Sequence, residues 1–346
     1  MIRLSGVGEF GLIERIRGIV PRPTHAILGI GDDCAVVRPT AGRDLLVTTD
    51  LLVEQVDFTQ RTTTPFRLGR KAMAVSLSDI AAMGGLPRAA LVTLALRPDM
   101  EPEFIDDLYR GLQKEGAKHG VEIIGGDISA SSTLMIGVTV LGEAESGRAV
   151  TRAGAQPGER VWVTGRLGGS AAGLAALQAG FRLSNDQVEG PLEATGKLAE
   201  AIREALERHL CPAPRIREGR ALAAAGVASA MIDLSDGLAA DLAKLCRESG
   251  VSARIREDRI PVDPVASIIG NLLGQDTMAM ALAGGEDFEL LFSSPADADG
   301  IVRLVANGQA MTEVGEVTAP AEGCVLVQRS GAMVPLSGGY DHFRRS

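Results

Sequence analysis

Residues 44–49 read DLLVTT, and Asp50 follows. The branched and apolar run is the composition of a β-strand, and it closes on two hydroxyls and an acid. Similar runs stand at 89–96 (AALVTLAL), 121–124 (VEII) and 133–141 (TLMIGVTVL), while 66–83 and 103–119 read as helices. In 103–119, Phe104, Leu108 and Leu112 recur at i, i+4 and i+8, and Gly120 stands where a C-terminal cap belongs. The first half therefore predicts alternating strands and helices.

A polar, glycine-containing stretch with Pro157, EAESGRAVTRAGAQPGE at 143–159, predicts a domain boundary and thus units of 1–150 and 151–346. The second half opens with a strand at 160–164 (RVWVT), then a Gly-rich turn and an Ala-rich helix from Ser170. Helical patterns follow at 214–225 and 236–249, the latter with Leu238, Leu242 and Leu245 on one face and Gly250 after its end. Residues 181–199 are polar and read as an insertion or mobile connection. A faint echo links LSDIAAMGG (77–85) with LSDGLAADL (234–242), which suits two halves of one ancestral unit and suits chance nearly as well.

The 346 residues suffice for two ordinary domains, and 45% hydrophobic with 23% charged residues is the mixture of a soluble globular chain. A net charge of −9 argues against nucleic acid or an anionic membrane as the main ligand. No apolar run approaches the roughly 18 residues of a membrane span, and the N-terminus lacks a signal-peptide pattern. Four scattered cysteines without a Cys-x-x-Cys pair read as thiols of a reducing cytoplasm.

Two motifs are decoys. GVGEFG (6–11) matches a dinucleotide-binding pattern but has no strand before it, so it reads as a turn opening a helix around Leu12–Arg17. Gly196-Lys197 lacks the spacing and hydroxyl of a phosphate-binding loop. Protein-kinase signatures and zinc-site histidine pairs are absent.

The chemistry resides in six acidic segments: GIGDDCAVV (29–37), TTD (48–50), LSDIAAMGG (77–85), IIGGD (123–127), IDLSDG (232–237) and GGEDFEL (284–290). They sit beside strands, Gly, Ser or Thr and contain almost no Lys or Arg, unlike a solvated charge run. Two carboxylates about 4 Å apart repel by roughly 4 kcal/mol at an effective dielectric near 20. A fold keeps such groups together by protonating them or binding cations. Oxygen-only ligands suit Mg²⁺, and adjacent glycines let backbone N–H groups approach phosphate oxygens. Together they point to Mg-nucleotide and phosphoryl-transfer chemistry. The bland alternative for any one acid is a helix cap or turn, with Asp236-Gly237 the best capping candidate.

In these segments the sequence resembles the thiamine-monophosphate kinase family, within the aminoimidazole-ribonucleotide synthetase-like ATP-binding superfamily. GEFGLI (8–13), TTDLLVE (48–54), KAMAVSLSDIAAMGG (71–85), TRAGAQPGE (151–159), IDLSDGL (232–238) and GYDHF (339–343) extend the match nearly end to end. The resemblance implies an α+β fold. An N-terminal α/β-sandwich-type domain (1–150) binds ATP and Mg²⁺ and forms a β-barrel across a homodimer, packed on a C-terminal α/β domain (151–346). The implied reaction is ATP-dependent phosphorylation of thiamine monophosphate to thiamine diphosphate.

By the same resemblance, Asp33, Asp50, Asp79, Asp127, Asp233 and Asp236 bind several Mg²⁺ ions, with Thr48 and Thr49 adding oxygens. Tyr109, Gly125, Gly126, Arg152 and Ser235 contact ATP. Glu286 faces the cationic thiamine moiety. No protein nucleophile or base is expected, because a phosphate monoester is already largely deprotonated at neutral pH, its second pKa being about 6. Two departures touch the acceptor site: Asp57 stands where the family often has His, and Leu336-Ser337 replaces an aromatic, leaving Tyr340 to stack. Another ATP-using enzyme of the superfamily, or a non-catalytic nucleotide-binding regulator, is the competing reading.

Overall fold

The computed structural model describes residues 3–30, 34–184, 187–306, 310–320 and 323–340. The chain divides into one unit of 1–80 with 85–147 and another of 81–84 with 148–346.

The first unit opens with α1 (Leu4–Ile19), followed by the short strands β1 (Ala26–Leu28) and β2 (Val36–Val37). Its frame is β3 (Arg43–Val53), α2 (Pro65–Ala82), β4 (Leu86–Leu96), α3 (Pro102–Lys118), β5 (Glu122–Ala130) and β6 (Met135–Glu145). The sheet order is β3-β6-β4-β5, antiparallel except for the parallel β4–β5 pair. Leu68, Met73 and Leu77 of α2 and Ile105, Leu108 and Leu112 of α3 form the core with Val92, Ile136, Val138 and Val140 of the sheet. α2 and α3 meet where Gly69 and Gly111 leave no room for a Cβ: each would lie 2.0 Å from a carbonyl oxygen of the other helix. One turn along from this crossing Glu115 accepts from Arg70 (3.0 Å) and Lys118 (2.7 Å).

Period-2 alternation gives β3 two different faces. Leu46 and Leu52 are buried with half-buried Thr48 and Asp50 between them, whereas Leu45, Val47 and Leu51 are 53%, 60% and 55% exposed. One side of this edge strand therefore joins the core and the other leaves an apolar row open.

Several expected boundaries move. α1 begins at Leu4, so GVGEFG is helical rather than a turn before a helix. β5 runs from Glu122 through the Gly-Gly-Asp segment to Ala130, where a strand of 121–124 was expected. Asp50 lies well inside β3 and Asp79 lies on α2, so neither stands at a strand end.

The second unit contains β7 (Arg160–Thr164), α4 (Gly169–Gln178), the hairpin β8 (Arg182–Ser184) and β9 (Gln187–Glu189), α5 (Gly196–Leu210), α6 (Ile216–Ala225) and β10 (Ala230–Asp233). After these come α7 (Leu238–Ser249), β11 (Ser252–Arg256), α8 (Pro264–Leu273), α9 (Thr277–Ala283), β12 (Leu290–Ser294), α10 (Asp299–Ala306), β13 (Met311–Thr318), β14 (Val325–Val327) and β15 (Met333–Pro335). They build a mixed sheet of order β10-β12-β7-β13-β11-β14-β15. The polar stretch 181–199 holds the β8–β9 hairpin, anchored by buried Phe181 and Leu183. Among the described residues no helix is long and apolar enough to cross a membrane.

Candidate active site

β3 and α2 bring three of the expected ligands together. Thr48 Oγ1 donates to Asp79 Oδ2. Asp50, on the same face as Thr48, has its Oδ2 buried without a hydrogen-bond partner. Burial, and then the neighbouring charge of Asp79, push the Asp50 carboxyl up to about 6. A buried carboxylate oxygen lacking any donor is costly, and beside a second acid it is the position a cation completes. The all-oxygen surroundings fit a hard divalent ion better than zinc or copper.

Other expected residues do not join this group. Thr49 points to the opposite face of the sheet, where its Oγ1 accepts from Thr139 Oγ1 at 3.0 Å. Its hydroxyl is therefore no ligand beside Asp50, a correction that follows from strand alternation. Asp127 is exposed on β5 in register with Thr93. Among the described residues no three His, Cys, Asp or Glu side chains cluster in a way that could hold a metal. Asp33 lies outside the described residues.

Gly126 has a packing reason to be glycine: a Cβ there would lie 1.9 Å from the carbonyl oxygen of Val92 on the paired strand. Gly125 is only half-buried beside it. Tyr109 is 3% exposed within the core, and burial pushes its phenol upward, so it offers no open ring face to a base. Asp57 folds back on its own strand, its Oδ2 accepting from the Val53 N–H at 2.8 Å. There it closes the turn that contains Gln55 at φ 72° rather than projecting toward an acceptor.

In the second unit the segment after β10 gathers the remaining residues. Asp233 ends the strand, 3% exposed. The carbonyl of Ser235 accepts from the Glu286 N–H at 2.8 Å, and that of Asp236 from the Tyr340 N–H at 3.0 Å. Three separate stretches thus meet on one loop, and Gly339 permits it: a Cβ there would lie 2.9 Å from Asp236 O, at φ 112°. Tyr340 remains 48% exposed. Arg152 is exposed, its carbonyl accepting from Ser249 Oγ at 2.8 Å.

Asp236 does not cap α7. The cap is Asp241, fully buried in the first turn, whose Oδ2 accepts from the N–H groups of Asp236 (2.9 Å) and Gly237 (3.1 Å). Lys244 bridges the carboxylates of Asp236 and Asp241, the latter at 2.7 Å. Asp236 already has a cation in Lys244 and fits an additional metal poorly. Lys244 and Asp241 were not anticipated. Their signal was an Asp in the first turn of α7 with a Lys three residues on.

The run GGEDFEL separates its acids by sending consecutive side chains to different partners. Glu286 and Phe288 adopt left-handed backbone at φ 66° and 49°. Asp287 caps α4, accepting from Gly168 N–H (2.7 Å) and Ser170 N–H (3.0 Å), and burial pushes its carboxyl up to about 7. Glu289 takes Thr164 Oγ1 at 2.7 Å and a forked pair from Arg215. Glu286 keeps a 30% exposed side chain, its Oε2 3.2 Å from His209 Nδ1. A 380 Å³ cavity nearby is lined by Arg166, Arg203, Arg208 and Arg215 and as many carboxylates, so its charges balance.

The comparisons with known proteins agree with this architecture. The AIR synthase related protein N-terminal domain matches residues 31–144, and the corresponding C-terminal domain matches 156–327. The thiamine-monophosphate kinase of Escherichia coli K12 is 37% identical over 341 residues, covering 97% of this chain and 98% of that protein. The crystal structure of thiamine-monophosphate kinase from Stenotrophomonas maltophilia superposes with a TM-score of 0.79 at 34% identity, over 94% of this chain and 98% of that one. The structure described as AaThiL complexed with AMPPCP and TMP gives 0.75 at 34% identity, over 99% of both. With two mixed αβ units and this identity along nearly its whole length, the chain belongs to the AIR synthase related proteins and, within them, to the thiamine-monophosphate kinase family.

Proposed function

We propose that the protein transfers the γ-phosphoryl group of ATP to the phosphate of thiamine monophosphate, releasing ADP and thiamine diphosphate. The observation that carries this reading is the Asp50–Asp79 pair, with its orphaned buried oxygen, in a chain aligned throughout with thiamine-monophosphate kinases. A phosphate oxygen of the acceptor attacks the γ-phosphorus while the bond to the β,γ-bridging oxygen breaks. The acceptor oxygen is already deprotonated, so positioning and charge neutralisation carry the rate.

Asp50, Asp79 and Thr48 are the residues that would hold Mg²⁺, with Asp33, Asp127 and Asp233 as further ligands. When bound, Mg²⁺ ions supply the charge screening that lets two polyphosphates approach. Gly125, Gly126, Arg152 and Ser235 serve the nucleotide, and Glu286 and Tyr340 the thiamine moiety. Residues 1–150 form the ATP- and metal-binding domain and 151–346 the second domain. The open apolar row Leu45, Val47 and Leu51 supports a homodimer in which two such sheets close a barrel. Four cysteines without a disulfide suit a reducing cytoplasm.

ADP release measured with ATP and Mg²⁺ against thiamine monophosphate, thiamine and no acceptor tests the assignment. Stimulation by thiamine monophosphate alone is expected. Equal ADP release without acceptor would sink it.

A further inference from the structure

The turn between β10 and α7 holds its own cation. Lys244 stands in the second turn of α7, and helical side chains lean toward the N-terminus, so its stem runs back over the first turn. There its Nζ donates to Asp236 Oδ2 and, at 2.7 Å, to Asp241 Oδ1. The Asp241 side chain is fully buried, while those of Asp236 and Lys244 are 28% and 29% exposed.

The oxygens of this turn are largely committed. Asp241 Oδ2 accepts from the N–H groups of Asp236 and Gly237, so three of the four carboxylate oxygens on Asp236 and Asp241 already have donors. The carbonyls of Leu234, Ser235, Asp236 and Gly237 accept the backbone N–H of Phe288, Glu286, Tyr340 and Asp241 respectively. A divalent ion bound here would have to displace the ammonium. Two unit charges about 4 Å apart repel by roughly 4 kcal/mol at an effective dielectric near 20, and a doubly charged ion doubles that. Mg²⁺ also demands a near-octahedral set of oxygens, whereas an ammonium brings three rotatable donors and no fixed coordination sphere.

We propose that Lys244 takes the place of a divalent ion on Asp236, a built-in cation that neutralises this turn, so that the chain binds its nucleotide with one metal ion fewer than the resemblance implies. The proposal rests on the reading that the protein binds Mg-nucleotide. Loss of the lysine leaves Asp236 and the fully buried Asp241 without their counter-charge, and a buried charge deprived of its partner is costly. The two oxygens so released, Asp236 Oδ2 and Asp241 Oδ1, face the same space and recruit a divalent ion from solution.

Electron paramagnetic resonance with Mn²⁺ and a non-hydrolysable ATP analogue, counting ions bound per protomer of the full chain, tests it. Lys244→Met keeps the apolar stem and removes the charge, and is expected to bind one ion more than wild type. Asp236→Asn in that background is expected to abolish the gain. Lys244→Arg keeps a cation and is expected to hold the wild-type number. In the wild-type background Asp236→Asn is expected to leave the number unchanged. Asp236 is partly exposed, so this last variant decides the question even should Lys244→Met fail to fold. An ion pair of structural value alone would shift the melting temperature and leave the count as it is. An ion lost by Asp236→Asn alone, or none gained by Lys244→Met, therefore overturns the proposal. Wild-type protein that binds no Mn²⁺ with the analogue contradicts the nucleotide reading itself, and the proposal falls with it.

Discussion

Asp50 shows how one side chain can carry both a cost and a function. Its folded carboxyl titrates near 6, against 3.8 for the ordinary group, because burial and Asp79 disfavour the charge. The native state therefore keeps this proton longer than the unfolded chain does. The associated stability is fully present below about pH 4 and is lost as pH rises through about 6. In metal-free protein at pH 7.5 this amounts to about 3 kcal/mol. Asp50→Asn is expected to remove it, raising the metal-free melting temperature by roughly 4–8 °C relative to wild type, with little difference between the two at pH 4. The same variant is expected to lose at least about a hundredfold in Mg-dependent turnover, in keeping with removal of a group stabilising transferred charge. A variant that melts like wild type in chelator at pH 7.5 would show that the charge is compensated by other means. At this scale the sequence was only partly legible. It singled out Asp50 and Asp79 from their company, but Asp57, Asp287 and Glu289 are acids of the same appearance with structural duties. Nothing local tells a turn-closing or helix-capping carboxylate from a ligand until its donors are in place.

Elements decide which of those acids face one another. Alternation along β3 puts Thr48 and Asp50 toward α2 and sends Thr49 away, a consequence available from the strand assignment but obscured when TTD is read as one motif. The extension of β5 through Gly125, Gly126 and Asp127 was hidden for a different reason. Two glycines read as a loop, yet Gly126 is small because Val92 O leaves no space for a Cβ across the parallel pair. Helix pairs are likewise written in glycine. Gly173→Ala forces α4 and α5 apart against Ala205 O, with an expected loss of 1–3 kcal/mol by the usual cost of overpacking, or about 3–10 °C in melting temperature. Differential scanning calorimetry measures it, and a melting temperature within a degree of wild type would contradict so close an approach. The short elements were the least legible: the β8–β9 pair within 181–199 is mostly polar, and Phe181, Leu183 and Val188 anchor it.

The whole molecule was legible at the level of class, because the two halves each alternate strands and helices and the break near residue 147 is polar. The order of the seven-stranded sheet was not, since its neighbours are far apart in sequence and no local pattern encodes that pairing. The exposed row on β3 belongs to this scale as well. Replacing Val47 and Leu51 together by Asp, at sites 60% and 55% exposed, is expected to leave the fold intact and to convert the proposed homodimer to a monomer in analytical ultracentrifugation. An unchanged sedimentation coefficient would remove that face from the assembly. Phosphorus NMR of a reaction containing ATP, Mg²⁺ and thiamine monophosphate follows the phosphoryl transfer itself. Thiamine diphosphate is expected to appear in step with ADP, one for one, with no inorganic phosphate. ADP accompanied by inorganic phosphate, with thiamine monophosphate left intact, would contradict it.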